Sequence, residues 1–292
     1  MLTGGTTVNA ALVFDPISAR IAEMRKQDIA YMGGSAMKSA ALMMPDDINV
    51  VNLTDIVDAC RRILYAADIS LTVDVDDAGG SAVNVYRTVR DLEQIGVAGL
   101  EIEDNHVPSY YGQATSRHAL LVPLAAQVDH FKAALDARRD SSTMILARTG
   151  AHTLAAEPTQ DFLDRVAAYT EVGVDAIVLP SLDHHGADGR TDIEAARRVT
   201  HLPFITVGLA WQVQQDGEWL AANNIRMTVI KDNWAYRMAV KSIIDCFEFL
   251  DGGGNPADLV DRCVPLEMVR KIMTRRPDYE SWSKRYDHPA NS

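Results

Sequence analysis

Two pairs of carboxylates with identical spacing stand out in this chain. Asp74 and Asp76 close the run SLTVDVD, and Glu101 and Glu103 close GLEIE. Residues i and i+2 of an extended strand point to the same side, so each run aims two acids in one direction. Acids gathered in one place repel unless shared protons or a cation neutralise them. A hard divalent ion is the economical answer. Mg²⁺ prefers oxygen ligands, keeps several waters and takes one or two carboxylates directly. Further acids would then hold its waters. Taken singly, each acid reads as a solvated turn residue, because Asp is common in turns. The set points to a site.

Other polar groups fit the same chemistry. Arg148 ends the apolar run TMILA. It is either a counter-ion for these acids or a bidentate clamp for a substrate carboxylate. Gly33-Gly34-Ser35 follows IAYM and offers backbone N–H groups as an oxyanion cradle, although such a run also makes an ordinary turn. His106 and His152 lie just past strand ends and are acid/base candidates. His184-His185 sits in a Gly/Asp-rich stretch and reads as a solvated loop rather than a zinc site. There is no GxxxxGK[ST] and no GxGxxG after a strand, so nucleotide cofactors are not expected.

The elements that would position these groups alternate along the chain. Eight short apolar runs read as strands: ALVF, IAYM, SLTVDV, GLEIE, STMILART, DAIVLP, PFITVGL and RMTVI. Between most of them lie amphipathic helical stretches, such as SARIAEMRKQ with Ser18 as a possible N-cap, AVNVYRTVRDLEQIG and QDFLDRVAAYTEVG. This alternation implies parallel strands joined by right-handed crossovers. An α/β (β/α)₈ TIM barrel fits better than an open doubly wound sheet, since no composition break divides the chain. Its chemistry belongs at the C-terminal ends of the strands. Asp15, Gly33-Gly34-Ser35, Asp74 to Asp77, Glu101 to Asp104 and Arg148-Thr149 all stand there. Residues 1–250 are read as the barrel. Residues 251–292, beyond the glycines at 252 to 254, are read as a helical extension of the same domain.

Composition agrees with a folded enzyme. The chain has 292 residues, 47% hydrophobic and 23% charged, with a net charge of −12. Such acidity disfavours phosphate backbones and anionic lipid, so neither nucleic acid nor membrane is an expected partner. Cys60, Cys246 and Cys263 are widely spaced; the first two lie in helical patterns and read as small buried groups. No basic leader precedes an apolar stretch, and no apolar run is long enough to span a bilayer. The cytoplasm is the expected compartment.

The pieces FDPISARIAE, the GGS segment, PDD at 45 to 47, DVDDAGGSAVNV, LEIEDNHVP and ILARTGA, in that order, resemble the phosphoenolpyruvate mutase/isocitrate lyase superfamily. The resemblance covers the chain to about Leu250. It implies a Mg²⁺-dependent barrel, with Mn²⁺ as a substitute, often tetrameric and with a swapped C-terminal helix. By motif position it makes Asp74 the direct metal ligand and places Asp76, Glu103 and Asp46 behind water. It gives Arg148 the substrate carboxylate and the Gly33-Gly34-Ser35 segment the enolate oxygen, with Asp15 and Asn233 as further substrate contacts.

The implied chemistry makes or breaks a bond to C3 of a pyruvate unit through an enolate. The segment PSYYGQATSRHALL after the I-E-D has neither the cysteine loop of the isocitrate-cleaving members nor the lysine-threonine-asparagine loop of the phosphonate-forming mutases. It is more similar to the oxaloacetate-decarboxylating branch. Leu209 and Asn233 stand where that branch has a Tyr and a His, and Ala78-Gly79-Gly80 replaces its G-Y-G. The expected function is a Mg²⁺-dependent carbon–carbon lyase for a small 2-oxo or 2-hydroxy carboxylate, oxaloacetate first. The alternatives are P–C chemistry on a phosphonopyruvate-type substrate, disfavoured because Arg117 is the one cation in that segment, and a catalytically silent barrel with a binding role.

Overall fold

The computed structural model describes residues 6–46, 50–106 and 121–287. It divides into two compact units, Met1–Trp234 and Ala235–Ser292. In the first, strands and helices follow in the order β1 (Val8–Asn9), β2 (Ala11–Val13), α1 (Pro16–Met24), β3 (Ile29–Met32), α2 (Gly34–Leu42), α3 (Leu53–Ala66), β4 (Ser70–Asp74), α4 (Ala82–Gln94), β5 (Gly99–Glu103), α5 (Leu124–Ala137), β6 (Met144–Arg148), α6 (Gln160–Val172), β7 (Ala176–Pro180), α7 (Arg190–Arg197), β8 (Phe204–Val207), α8 (Trp211–Gln214), α9 (Gly217–Ala222) and β9 (Ile225–Val229).

All strand pairings are parallel, in the order β1-β9-β8-β7-β6-β5-β4-β3-β2. The two ends of that order are consecutive in the chain. β1 pairs with β9 and β2 with β3, and Ala10 between them donates its N–H to Thr228 O at 2.9 Å. The first of the eight expected strands, ALVF, is β2; the two-residue β1 before it is a ninth strand that the sequence reading did not include, and the two face opposite neighbours to close the ring.

The pleat sorts side chains into two cores. Leu71, Val73, Leu100, Ile102, Ile145 and Ala147 face the surrounding helices. The alternate positions face the lumen, where Ile29, Tyr31, Leu146, Val178, Ile205 and Met227 pack together. β3, β5 and β7 are buried along their whole length, as strands covered on both faces must be. A one-residue slip would exchange the two sets, so this apolar pattern also fixes which way the acids point.

Local chemistry sets the helix starts. The N-cap of α1 is not Ser18 but Asp15, three residues earlier; Pro16 follows it, and Ser18 completes a reciprocal capping box. Asn52 and Asp55 make the same box for α3. The Gly33-Gly34-Ser35 segment is no loop either. Gly33 is the N-cap of α2, and Gly34 and Ser35 form its first turn.

In the second unit, α10 (Trp234–Asp251) leads to a turn at Gly252 to Gly254 and a 3₁₀ helix at Pro256–Arg262. A π-helical turn at Met268–Met273 and α11 (Arg276–Tyr286) follow. None of these helices has a buried residue, and Met238, Phe247, Leu266 and Trp282 are exposed. Of the cysteines, Cys60 is buried, as its pattern implies, whereas Cys246 is half-buried and Cys263 exposed. Among the described residues, no helix is long and apolar enough to cross a membrane.

Candidate active site

The acids and Arg148 come together through strand register. Asp74 pairs with Glu101 across β4 and β5, and Glu103 pairs with Arg148 across β5 and β6. All four lie at lumen-facing positions near the C-terminal ends of their strands. Arg148 Nη1 is 2.8 Å from Glu101 Oε1 and 3.1 Å from Asp74 Oδ2, and Nη2 is 2.8 Å from Glu103 Oε1. Below them, Tyr31 donates its hydroxyl to Glu101 Oε1 at 3.0 Å.

Asp76 lies past the end of β4 with φ +52°, in the left-handed region that Asp tolerates better than most residues. This bend brings its N–H to Asp74 Oδ1 at 3.0 Å and its carbonyl to the N–H of Glu103 at 2.8 Å. One carboxylate oxygen each from Asp74, Asp76 and Glu103 then lies within 4.8 Å of the others. Asn105 donates to Glu103 Oε2 at 2.8 Å.

The electrostatics show a site short of positive charge. Burial pushes Glu101 up to about 7 in spite of Arg148, and Asp74 adds to the rise. Asp76 is pushed up to about 6 by burial and then by the charge of Asp74. Burial raises Glu103 as well, against the pull of Arg148. Buried oxygen donors that resist ionisation for want of counter-charge are a suitable set for a hard divalent cation. The residues present fit that group.

A cavity of about 410 Å³ opens above this cluster. Every residue that the resemblance assigns to the site lines it except Asp15, while Glu101 and His152, singled out from their position at strand ends, lie outside its lining. Asp15 instead accepts from the N–H and hydroxyl of Ser18, both at 2.7 Å, in capping α1. Asn233, beyond β9, donates to Ser35 Oγ at 3.0 Å and so ties the last strand end to the start of α2. Gly34 N–H, in the first turn of α2, donates to Asp74 Oδ2 at 3.4 Å, so the helix N-terminus meets the acids at that residue.

Some expectations come out differently. His184 is not solvated: its side chain is buried and its Nε2 lies 2.8 Å from Asp192 Oδ2, while His185 alone is exposed. His106 lines the cavity. His152 lies outside that lining, with Nε2 2.6 Å from Pro180 O and its ring pushed down to about 4 by burial. Leu209 packs into the outer core and is not part of the cavity wall. Asp47, the PSYYG segment and Arg117 lie outside the described residues.

Sequence patterning misses two residues of the cluster. Tyr31 precedes Gly33 by two on β3, a spacing that would have aimed it inward. Lys38 is one helical turn past Gly34, visible only once that glycine is known to start a helix. Its Nζ contacts Asp46 Oδ1 at 2.7 Å and Asp76 Oδ2 at 2.8 Å.

Comparison with known proteins places this architecture. The family model described as phosphoenolpyruvate phosphomutase matches residues 2–249. The chain is 35% identical over 259 residues to the oxaloacetate decarboxylase of Rhodopseudomonas palustris (strain BisB18), covering 89% of this chain and 85% of that one. It is 33% identical over 289 residues to oxaloacetate decarboxylase 1 of Pseudomonas putida (strain W619), covering 98% and 93%. Among solved structures, phosphoenolpyruvate phosphomutase from Streptomyces platensis subsp. rosaceus superposes with a TM-score of 0.83 at 25% identity, over 98% of this chain and 97% of the other.

Proposed function

This chain belongs to the phosphoenolpyruvate phosphomutase family, and from that premise we propose that it is a metal-dependent carbon–carbon lyase that decarboxylates oxaloacetate or a close 2-oxo acid. One observation carries the reading: three carboxylates, buried Asp74 and Glu103 and half-buried Asp76, converge within 4.8 Å beside Arg148, at the mouth of a barrel lumen. The similarity to decarboxylases over most of both chains supports the choice of substrate. The ion is taken to be Mg²⁺, with Mn²⁺ as a substitute. The working form is taken to be a cytoplasmic homotetramer, with residues 251–292 as a helical extension of the barrel domain.

Asp74 would hold the ion directly, and Asp76, Glu103 and Asp46 would hold its waters. When bound, it supplies Lewis acidity to the oxygens of a 2-oxo carboxylate. The protein's own groups do the rest. Arg148 keeps three acids in fixed positions and presents the positive charge that a substrate carboxylate needs. The first-turn amides of α2, at Gly34 and Ser35, are oriented donors for the negative charge that grows on the C2 oxygen as CO₂ leaves. Ser35 is held in turn by Asn233. Loss of CO₂ asks for no acid at the leaving group. A proton is needed only afterwards, at C3, and His106 on the cavity wall is a group able to carry it.

The test is a coupled assay for pyruvate with a panel of 2-oxo and 2-hydroxy acids, run with Mg²⁺ and with chelator. Pyruvate from oxaloacetate that depends on the metal is expected. Phosphate from phosphonopyruvate, with no pyruvate from oxaloacetate, would replace this reading.

A further inference from the structure

The acid cluster is divided between two cations of the chain itself. Arg148 contacts Asp74, Glu101 and Glu103. Lys38 takes the other two carboxylates. It is only 4% exposed, and its ammonium meets Asp46 Oδ1 at 2.7 Å and the two oxygens of Asp76 at 2.8 and 3.0 Å. An ammonium has three donors and no acceptor, so these contacts match its full capacity.

Lys38 also stands close to the remaining donors. A Cβ added at Gly34 would lie 3.4 Å from Lys38 Nζ and 3.5 Å from both Asp74 Oδ2 and Asp76 Oδ1. One backbone position is thus surrounded by the ammonium and by two of the acids proposed to hold the metal or its waters. Carboxylate oxygens bonded to an ammonium are poor ligands, and the ammonium repels an incoming cation.

This matters differently to different ions. Ca²⁺ takes six to eight oxygens and gains from every free carboxylate, whereas Mg²⁺ needs one or two and keeps its waters. We propose that Lys38 is a resident counter-ion that withholds Asp46 and Asp76 from direct coordination, lowering the site's affinity for divalent cations and favouring Mg²⁺ over Ca²⁺. The proposal rests on the metal reading above. Lys38 touches no substrate in this scheme; it is a positioning residue whose fixed charge sets which ion the acids accept.

Calorimetric titration of the chelator-stripped full chain with Mg²⁺ and with Ca²⁺ tests it without recourse to activity. Lys38→Met is expected to tighten Ca²⁺ by about tenfold or more, and Mg²⁺ by less, because an ammonium a few ångströms away no longer opposes the ion. Lys38→Arg, which keeps the charge, is expected to stay near the wild type. Lys38→Gln carries the same expectation as Lys38→Met and replaces it where circular dichroism shows the methionine variant unfolded. Unchanged or weaker Ca²⁺ binding in the neutral variants, with Mg²⁺ still bound by the wild type, overturns the proposal and leaves the metal reading standing. Absence of Mg²⁺ binding by the wild type removes both.

Discussion

Glu103 and Arg148 are register partners on adjacent parallel strands, and Arg148 Nη2 lies 2.8 Å from Glu103 Oε1. The sheet itself sets this ion pair, so neither side chain must search for the other. A buried pair gains little net stability, because desolvation offsets most of its attraction. What it contributes is charge fixed in place before substrate arrives, which is where electrostatic catalysis finds most of its advantage.

Arg148→Lys keeps the charge but loses the fork that spans Glu103 on one side and Glu101 with Asp74 on the other. The kcat/KM for pyruvate formation should fall by about a hundredfold or more, with an unchanged circular dichroism spectrum. Near-normal turnover would remove Arg148 from the machinery.

Mg²⁺ should raise the melting temperature of the wild type, since an ion that binds only the folded chain stabilises it by about 2.7 kcal/mol at a hundredfold excess over its Kd. Asp74→Asn should abolish that shift together with activity. A Mg²⁺-dependent shift that persists in the variant would place the ion elsewhere.

Asp104 is wholly buried and accepts from Gly150 N–H at 3.2 Å, the Tyr169 hydroxyl at 2.9 Å and Arg165 at 3.2 Å. Asp104→Ala strands the Arg165 guanidinium, which still faces Asp161 on its outer side. Urea unfolding should show a loss of about 3–5 kcal/mol. A loss below about 1 kcal/mol would mean that the network relaxes around the gap.

His152 is pushed down to about 4 by burial, from an ordinary value of 6.5. Between these values the unfolded chain binds more protons than the folded one. Stability from this residue therefore grows as pH rises from about 4, is complete above about 6.5, and amounts to about 3 kcal/mol. His152→Gln should flatten that part of the stability profile. Parallel profiles for the two proteins in urea unfolding between pH 4.5 and 7 would contradict the assignment.

The eight strands and their inward acids were legible because alternation and burial on both faces leave a strong imprint on residue type. Leu71 and Val73 declare one face of β4, and Thr72 and Asp74 must then take the other. What stayed hidden depended on backbone conformation with no side-chain signature. Glycines at 33 and 34 say little about whether a turn or a helix follows, so Lys38 had no reason to be placed beside Asp76. Asp15 and Ser18 are both good caps, and only their reciprocal bonds show which one starts α1. β1 is equally silent, since Val8 and Asn9 are too short a run to read as a strand ahead of ALVF.

The change of neighbour between β1 and β2 gives the ring of strands a seam. β1 is joined to β9 over two register pairs, the fewest of any strand pair, and β2 to β3 over three, as many as join β4 to β5 or β6 to β7. Ser35 and Asn233 stand on opposite sides of the seam, and their single hydrogen bond fastens the rim above. The acids of β4 and β5 and the guanidinium of β6 lie away from this join, in the continuous part of the sheet. The charged half of the site is thus anchored where each strand runs unbroken. The amide-bearing half stands beside the seam, where a parting of a few ångströms would separate donors from substrate without disturbing a single carboxylate.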